Sequence, residues 1–189
     1  MSRLPRIAPD SIPDDIKSLI ANGEQIMGFT MNDGLDMARN PALLKGVSAM
    51  IFSIYGQGKL DMGLKRLVGY VASTAAGCQY CQQHTAHGAG KQHVDPEKIN
   101  AAWAYEDSPL FSDAERSALK VAHLGSLTPS EVTDADFAEL RTHFSDDECL
   151  EIVAVISMFG FLNRWNAVMD TDVEGVPADY AKAIGLELR

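Results

Sequence analysis

Residues 60–93 read LDMGLKRLVGYVASTAAGCQYCQQHTAHGAGKQH. Leu60, Leu64, Leu67, Val68 and Val71 fall on one helical stripe, which predicts an amphipathic helix that ends at Gly77. Cys78 stands where the next helix should begin, and Cys81 lies one turn on. Side chains three apart on a helix have Cβ atoms about 5–6 Å from one another. A disulfide, with its Cα separation of roughly 4.4–6.8 Å, is therefore within reach. The free N–H groups and positive dipole of a helix start favour thiolate, and CxxC thiols fall to pKa values of roughly 3.5–7.5. Cys78 is expected to be the more acidic sulfur. His84, three residues past Cys81, is placed to accept a proton from a thiol or to give one to a leaving hydroxide. His87 turns further from the pair, and His93 is assigned no role.

Two other uses of such a cluster compete with redox chemistry. Cys78, Cys81, His84 and His87 are zinc-ligand types, but all four come from about three turns of one helix, too wide an angular spread for a tetrahedral site. The other candidates, Cys149, His123 and His143, are scattered. Burial as small hydrophobes is the second alternative. A thioredoxin-like site would need a βαβ context around its CxxC, and none is legible.

Outward from this stretch the chain reads as helix after helix. IPDDIKSLIANGEQIMG (12–28) has helical spacing and a stop at Gly28, and Asn40-Pro41 caps a helix that runs to Gly56. Asp95-Pro96-Glu97 starts another helix. Ser112 to Glu115 and Ser145 to Glu148 have capping-box spacing, and Thr133 caps a shorter helix between them. EIVAVISMF (151–159) has the β-branched content of a buried strand, but its cap and length favour helix. The fold class expected is all-α, one domain over residues 1–189. It divides into an N-terminal extension over about 1–39, a core over about 40–170 and a tail helix over about 176–189.

The net charge of −10 argues against nucleic acid and anionic membranes as partners. The N-terminus lacks a signal-like apolar region, and the apolar run VAVISMFGFL is short for a membrane span. A cytoplasmic location is the expectation, and in that compartment three cysteines do not form a disulfide framework. Cys149 reads as a buried small hydrophobe. Met27, Met31, Met37 and Met50 read as flexible core filling, Glu115 as a cap, and Asn163-Arg164 either as a subunit contact or buried polar network or as simply exposed. No cofactor and no metal are called for.

GCQYCQQHT, the helix LKRLVGYVASTAAG before it and the segment FSDAERSALK…FGFLNRW after it resemble the alkyl hydroperoxidase D-like (AhpD-like) and carboxymuconolactone decarboxylase superfamily, in particular its peroxidase-related branch. The resemblance implies an all-α fold, a homo-oligomer (dimer-based, trimeric or hexameric) and a peroxidatic thiol pair. Cys81 would attack a hydroperoxide and become a sulfenic acid. Cys78 would resolve it to a disulfide, and an external dithiol, lipoyl or thioredoxin-like, would reduce the pair. The chain departs from the family pattern twice. The usual histidine position, four residues after the second cysteine, holds Thr85, so His84 comes one residue early, about 100° round an ideal helix. The position of the helper glutamate, twelve residues before the first cysteine, holds Arg66. A carboxylate for a proton relay must then come from elsewhere, or Arg66 stabilises thiolate directly. Carboxymuconolactone-type lactone decarboxylation, and a redox-sensing or structural subunit that does not turn over, are the competing functions.

Overall fold

The computed structural model describes residues 2–56 and 58–189. Among these it has ten α-helices and no strand: α1 (Asp14–Met27), α2 (Asn32–Met37), α3 (Pro41–Tyr55), α4 (Met62–Ala75), α5 (Gln79–Lys91), α6 (Pro96–Ala101), α7 (Asp113–Gly125), α8 (Asp134–His143), α9 (Asp146–Met169) and α10 (Gly175–Ala183). The caps form as the sequence implies. The Asn40 side chain accepts from Leu43 N, and Asp95 accepts from Glu97 N, each ahead of a first-turn proline. Reciprocal capping boxes open α7, α8 and α9; in α8 the box pairs Thr133 with Asp136. The 151–159 run is helix.

Helix α4 is the centre of the fold. Leu67, Val68, Val71 and Ala72 are buried, and α5, α7 and α9 pack around them. Its approach to α9 depends on Gly69, where a Cβ would lie 2.4 Å from Phe159 Cε2. Lys65 is buried too, its Nζ donating to Ile54 O at 2.8 Å and pairing with Glu151 Oε2 at 2.7 Å. Glu151 also accepts from the backbone of Lys59 and Leu60, which ties the α3–α4 loop to α9. Gly77, at φ 68°, turns the chain from α4 into α5.

Three sequence expectations change. The short helix α2 is not legible in NDGLDM. The tail helix ends at Ala183, because Gly185 adopts φ 68° and residues 186–189 run on without helix; there Gln82 of α5 pairs with the Arg189 backbone in both directions, at 2.7 and 3.1 Å. Finally, α9 runs from the Ser145 box through Met169 as its sequence implies, but its apolar window is longer than the run VAVISMFGFL. By length and composition alone it could cross a bilayer, but much of it is buried against the other helices, as in the core helix of a folded protein.

The N-terminal segment lies on its own chain. Arg3 N donates to Met169 O at 2.8 Å, and Arg6 bridges Asp36 and Asp172 at 3.3 and 2.6 Å. Helix α1 then packs on α3, so this extension forms one wall of the cavity described next.

Candidate active site

Cys78 is the N-cap of α5, with extended backbone, and Cys81 sits one turn inside. Both are buried, each 3% exposed. Hydrogen bonding from Cys81 holds the Cys78 thiol below its usual range, outweighing burial, and the backbone N–H groups of Cys81 and Tyr80 act in the same direction. Cys81 is pushed well above the usual thiol range by burial first and by its bond to Cys78 second. Of the two sulfurs, Cys78 is thus biased toward the thiolate and Cys81 toward the thiol. Asn166 of α9 donates its Nδ2–H to Cys81 Sγ at 3.4 Å.

A carboxylate from the far end of the chain meets His84. Glu174, the N-cap of α10, meets His84 Nε2 at 2.6 Å through Oε2. Its Oε1 accepts from Tyr80 OH at 2.9 Å and from Asn32 N at 2.5 Å. Burial works against the Glu174 charge, yet the His84 contact keeps its pKa below the usual carboxylate value. The His84 ring stacks on Tyr80 at 4.1 Å between centroids and meets the edge of Phe29 at 5.3 Å. A second carboxyl, Asp33, begins α2 close by, with its backbone N–H on Tyr80 OH at 3.4 Å. Burial raises its pKa against the opposing pull of His84. Two carboxyls in different surroundings are thus biased in opposite directions, one toward the anion and one toward the acid.

These groups sit on one wall of a cavity of about 440 Å³ lined by α1, α2, α3, α4, α5 and α9. Its lining is mainly apolar. Cys81, His84, Tyr80 and Asp33 are on the lining, and Cys78 is not. Met27, Met31 and Met37, read as core filling, line it as well.

Of the residues singled out in the sequence, Cys78, Cys81 and His84 come together here. Thr85, at the family's histidine position, turns its hydroxyl back to Cys81 O at 2.7 Å and Gln82 O at 3.0 Å, away from the sulfur. Arg66 does not hydrogen-bond either sulfur, contrary to direct thiolate stabilisation; its guanidinium lies over the Tyr55 ring, 4.1 Å from the centroid. His87 packs between Phe29 and Tyr180. His93 occupies the turn after α5 at φ 61°. Glu115 is spent on its capping box and on Lys98 at 2.6 Å, and Cys149 is buried with Sγ 3.7 Å from Phe144 O. Asn163 is buried and donates to Ala72 O at 3.4 Å, whereas Arg164 is exposed. No three His, Cys, Asp or Glu side chains among the described residues are grouped to hold a metal ion. Sequence reasoning missed Asp33, Tyr80, Asn166 and Glu174. The one available signal was Asn166, a polar residue three positions after Asn163 on an otherwise apolar helix.

The model of the carboxymuconolactone decarboxylase family matches residues 41–124, from α3 through α7. Among solved structures, the chain is similar to a cysteine-to-alanine variant of the debrominase Bmp8 in complex with 2,3,4-tribromopyrrole. The two are 32% identical over 97% of this chain and 100% of that one, with a TM-score of 0.89. A peroxidase-related protein of Ralstonia eutropha JMP134 with an alkylhydroperoxidase AhpD core shares the fold at 24% identity, covering 93% of this chain and 94% of its own, with a TM-score of 0.85. The uncharacterized protein YnjA of Escherichia coli is 32% identical over 117 residues, which are 62% of this chain and 64% of YnjA. The α4–α5 dithiol hairpin therefore lies inside a carboxymuconolactone decarboxylase family region, in a chain that is similar to Bmp8 over nearly its whole length and shares its fold with a protein built on an AhpD core.

Proposed function

We propose that the protein is a dithiol-dependent reductase that acts on an apolar organic hydroperoxide bound in the cavity. The observation that carries this reading is the asymmetry of the pair: Cys81 opens on the cavity, and Cys78 lies behind it as the sulfur biased toward thiolate. Cys81 passes its proton to Cys78 and attacks the terminal peroxide oxygen. The O–O bond breaks, Cys81 becomes a sulfenic acid, and the alkoxide leaves as an alcohol with a proton from the Asp33 carboxyl. Cys78, deprotonated again through the His84–Glu174 pair, attacks the Cys81 sulfur and expels hydroxide, which leaves as water. The balance is thiolate, thiol, hydroperoxide and one proton giving disulfide, alcohol and water. An external dithiol, of lipoyl or thioredoxin-like type, then reduces the disulfide.

A second reading is favoured by the likeness to Bmp8, which extends over nearly the whole chain. In it, thiolate, thiol and a brominated aromatic give disulfide, the debrominated arene and bromide. Lactone decarboxylation leaves the thiol pair without a task. For self-association, α9 presents Leu150, Val153, Phe161 and Val168 on its exposed side, a stripe suited to a second copy of this chain.

The test is a titration of free thiols after stoichiometric cumene hydroperoxide or tribromopyrrole, in wild type, Cys78→Ser and Cys81→Ser. Loss of both thiols with the hydroperoxide, and a trappable sulfenic acid only where Cys81 is kept, supports the first reading. Reaction with the bromopyrrole alone selects the second. Unreacted thiols with both reagents overturn the redox assignment.

A further inference from the structure

Arg66 is a cation without an anion. Among the described residues no carboxylate lies within 4.0 Å of its guanidinium, and its buried Nε–H has no hydrogen-bond acceptor. The hydroxyl of Tyr55, whose ring the guanidinium covers, is buried and equally unpartnered. Both residues line the cavity that Cys81 opens on. Leaving the Arg66 Nε–H and the Tyr55 hydroxyl buried and unsatisfied beside a mainly apolar cavity costs free energy unless something else fills their hydrogen bonds. The surroundings also make room for the arrangement. At Gly88 of α5 a Cβ would lie 3.0 Å from Arg66 Cδ and Nε, so the side chain rests directly on the α5 backbone. Burial keeps the Tyr55 phenol protonated, and so a donor.

From this geometry we propose that Arg66 and Tyr55 form an anion subsite that holds the carboxylate of an otherwise apolar substrate, with the reducible bond of that substrate presented to Cys81. A carboxylate fits better than a phosphate, because the planar guanidinium fork matches a carboxylate in two parallel hydrogen bonds and only one cation is present to balance the charge. Asp33, also on the lining, is biased toward its neutral form, which weakens its repulsion of an anionic ligand. The substrate class is then a medium-sized organic acid bearing a reducible group. The inference rests on the reductase reading for the role of Cys81, but the subsite itself can be tested without any redox step.

Octanoate and octanol carry no reducible bond and differ in their head group. Their binding to the reduced protein is measured by titration calorimetry, with wild type, Arg66→Met, Arg66→Lys and Tyr55→Phe compared and folding checked by circular dichroism. Wild type is expected to bind octanoate about tenfold or more tighter than octanol, the scale of a charge-assisted pair in a desolvated site. Arg66→Met should abolish the preference and leave octanol affinity within about twofold. Arg66→Lys should keep part of it, and Tyr55→Phe should lose part of it while retaining Arg66 in place. Equal binding of acid and alcohol by wild type overturns the subsite, as does a preference that survives Arg66→Met or the absence of saturable binding by either probe. The same titration on Cys81→Ser separates this proposal from the redox reading. A preference preserved in Cys81→Ser, together with wild-type thiols inert to hydroperoxide, sinks the reductase and keeps the subsite; reactive wild-type thiols without the preference do the reverse.

Discussion

Glu174→Gln separates the two tasks that the structure concentrates on one carboxylate. The substitution keeps size and shape but removes the charge that His84, Tyr80 and the Asn32 amide all address. Hydrogen bonds to a charged group contribute about 1.5–3 kcal/mol each, and Gln retains a neutral acceptor for some of them. A net loss of about 2 kcal/mol follows, which for a chain of this size lowers the melting temperature by roughly 4–8 °C. The pH dependence has a definite sign. The Glu174 carboxyl titrates below its ordinary value in the folded protein, so its stabilisation is fully present above the usual carboxylate range and fades as pH falls through the lower folded value. The gap between wild type and Glu174→Gln should therefore be widest near neutrality and close in acid. If the His84–Glu174 pair also moves the proton of the resolving step, turnover falls further than stability explains, by about 10²–10⁴-fold. Thermal melts and hydroperoxide turnover across the same pH series measure both effects. Full turnover in a destabilised Glu174→Gln would refute the relay and leave Glu174 as a latch between α5 and α10.

Three other perturbations read out single features of the structure. Cys81→Ala removes the hydrogen bond that most lowers Cys78, so the thiolate ultraviolet absorbance should begin at higher pH; Cys78→Ser should erase it from the neutral range, because burial alone keeps Cys81 high. Gly69→Ala drives a methyl into Phe159 at the centre of the α4–α9 contact and should cost about 1–3 kcal/mol in urea unfolding. Asp136, held at a pKa of about 2 by Lys120 and by its capping-box bonds to Thr133, stabilises the fold above its ordinary value of 3.8 and loses that contribution as pH falls toward 2. With Lys120 substantially exposed the effect is about 1 kcal/mol, so Asp136→Asn should lower the melting temperature at neutral pH and make little difference in strong acid.

What the sequence could reveal follows from the range of the forces involved. Caps and breaks are local: Asn40, Asp95, Ser112 and Ser145 bond backbone groups two or three residues away, and Gly77 and Gly28 adopt conformations that other residues resist. Their reading needs no tertiary knowledge, and the α4–α5 hairpin that brings Cys78, Cys81 and His84 together is built from such signals. The partners of that hairpin come from far along the chain. Glu174 reaches His84 across 90 positions, and by itself it reads as one more acid ahead of a helix. Apolar side chains read the same whether they face packed neighbours or a void, so the core reading of Met27 and Met37 holds but nothing in the sequence announced that they, with Met31, also line the cavity. Arg66 shows the same limit from the opposite side. Its position marked a departure from the family's glutamate, but only the tertiary structure shows that the replacement leaves a half-buried guanidinium whose buried Nε–H has no acceptor. The exchange of charge at position 66 thus fits a division of labour in which Glu174 takes over the carboxylate beside the histidine, and the position it vacated in the family pattern becomes free to select the substrate.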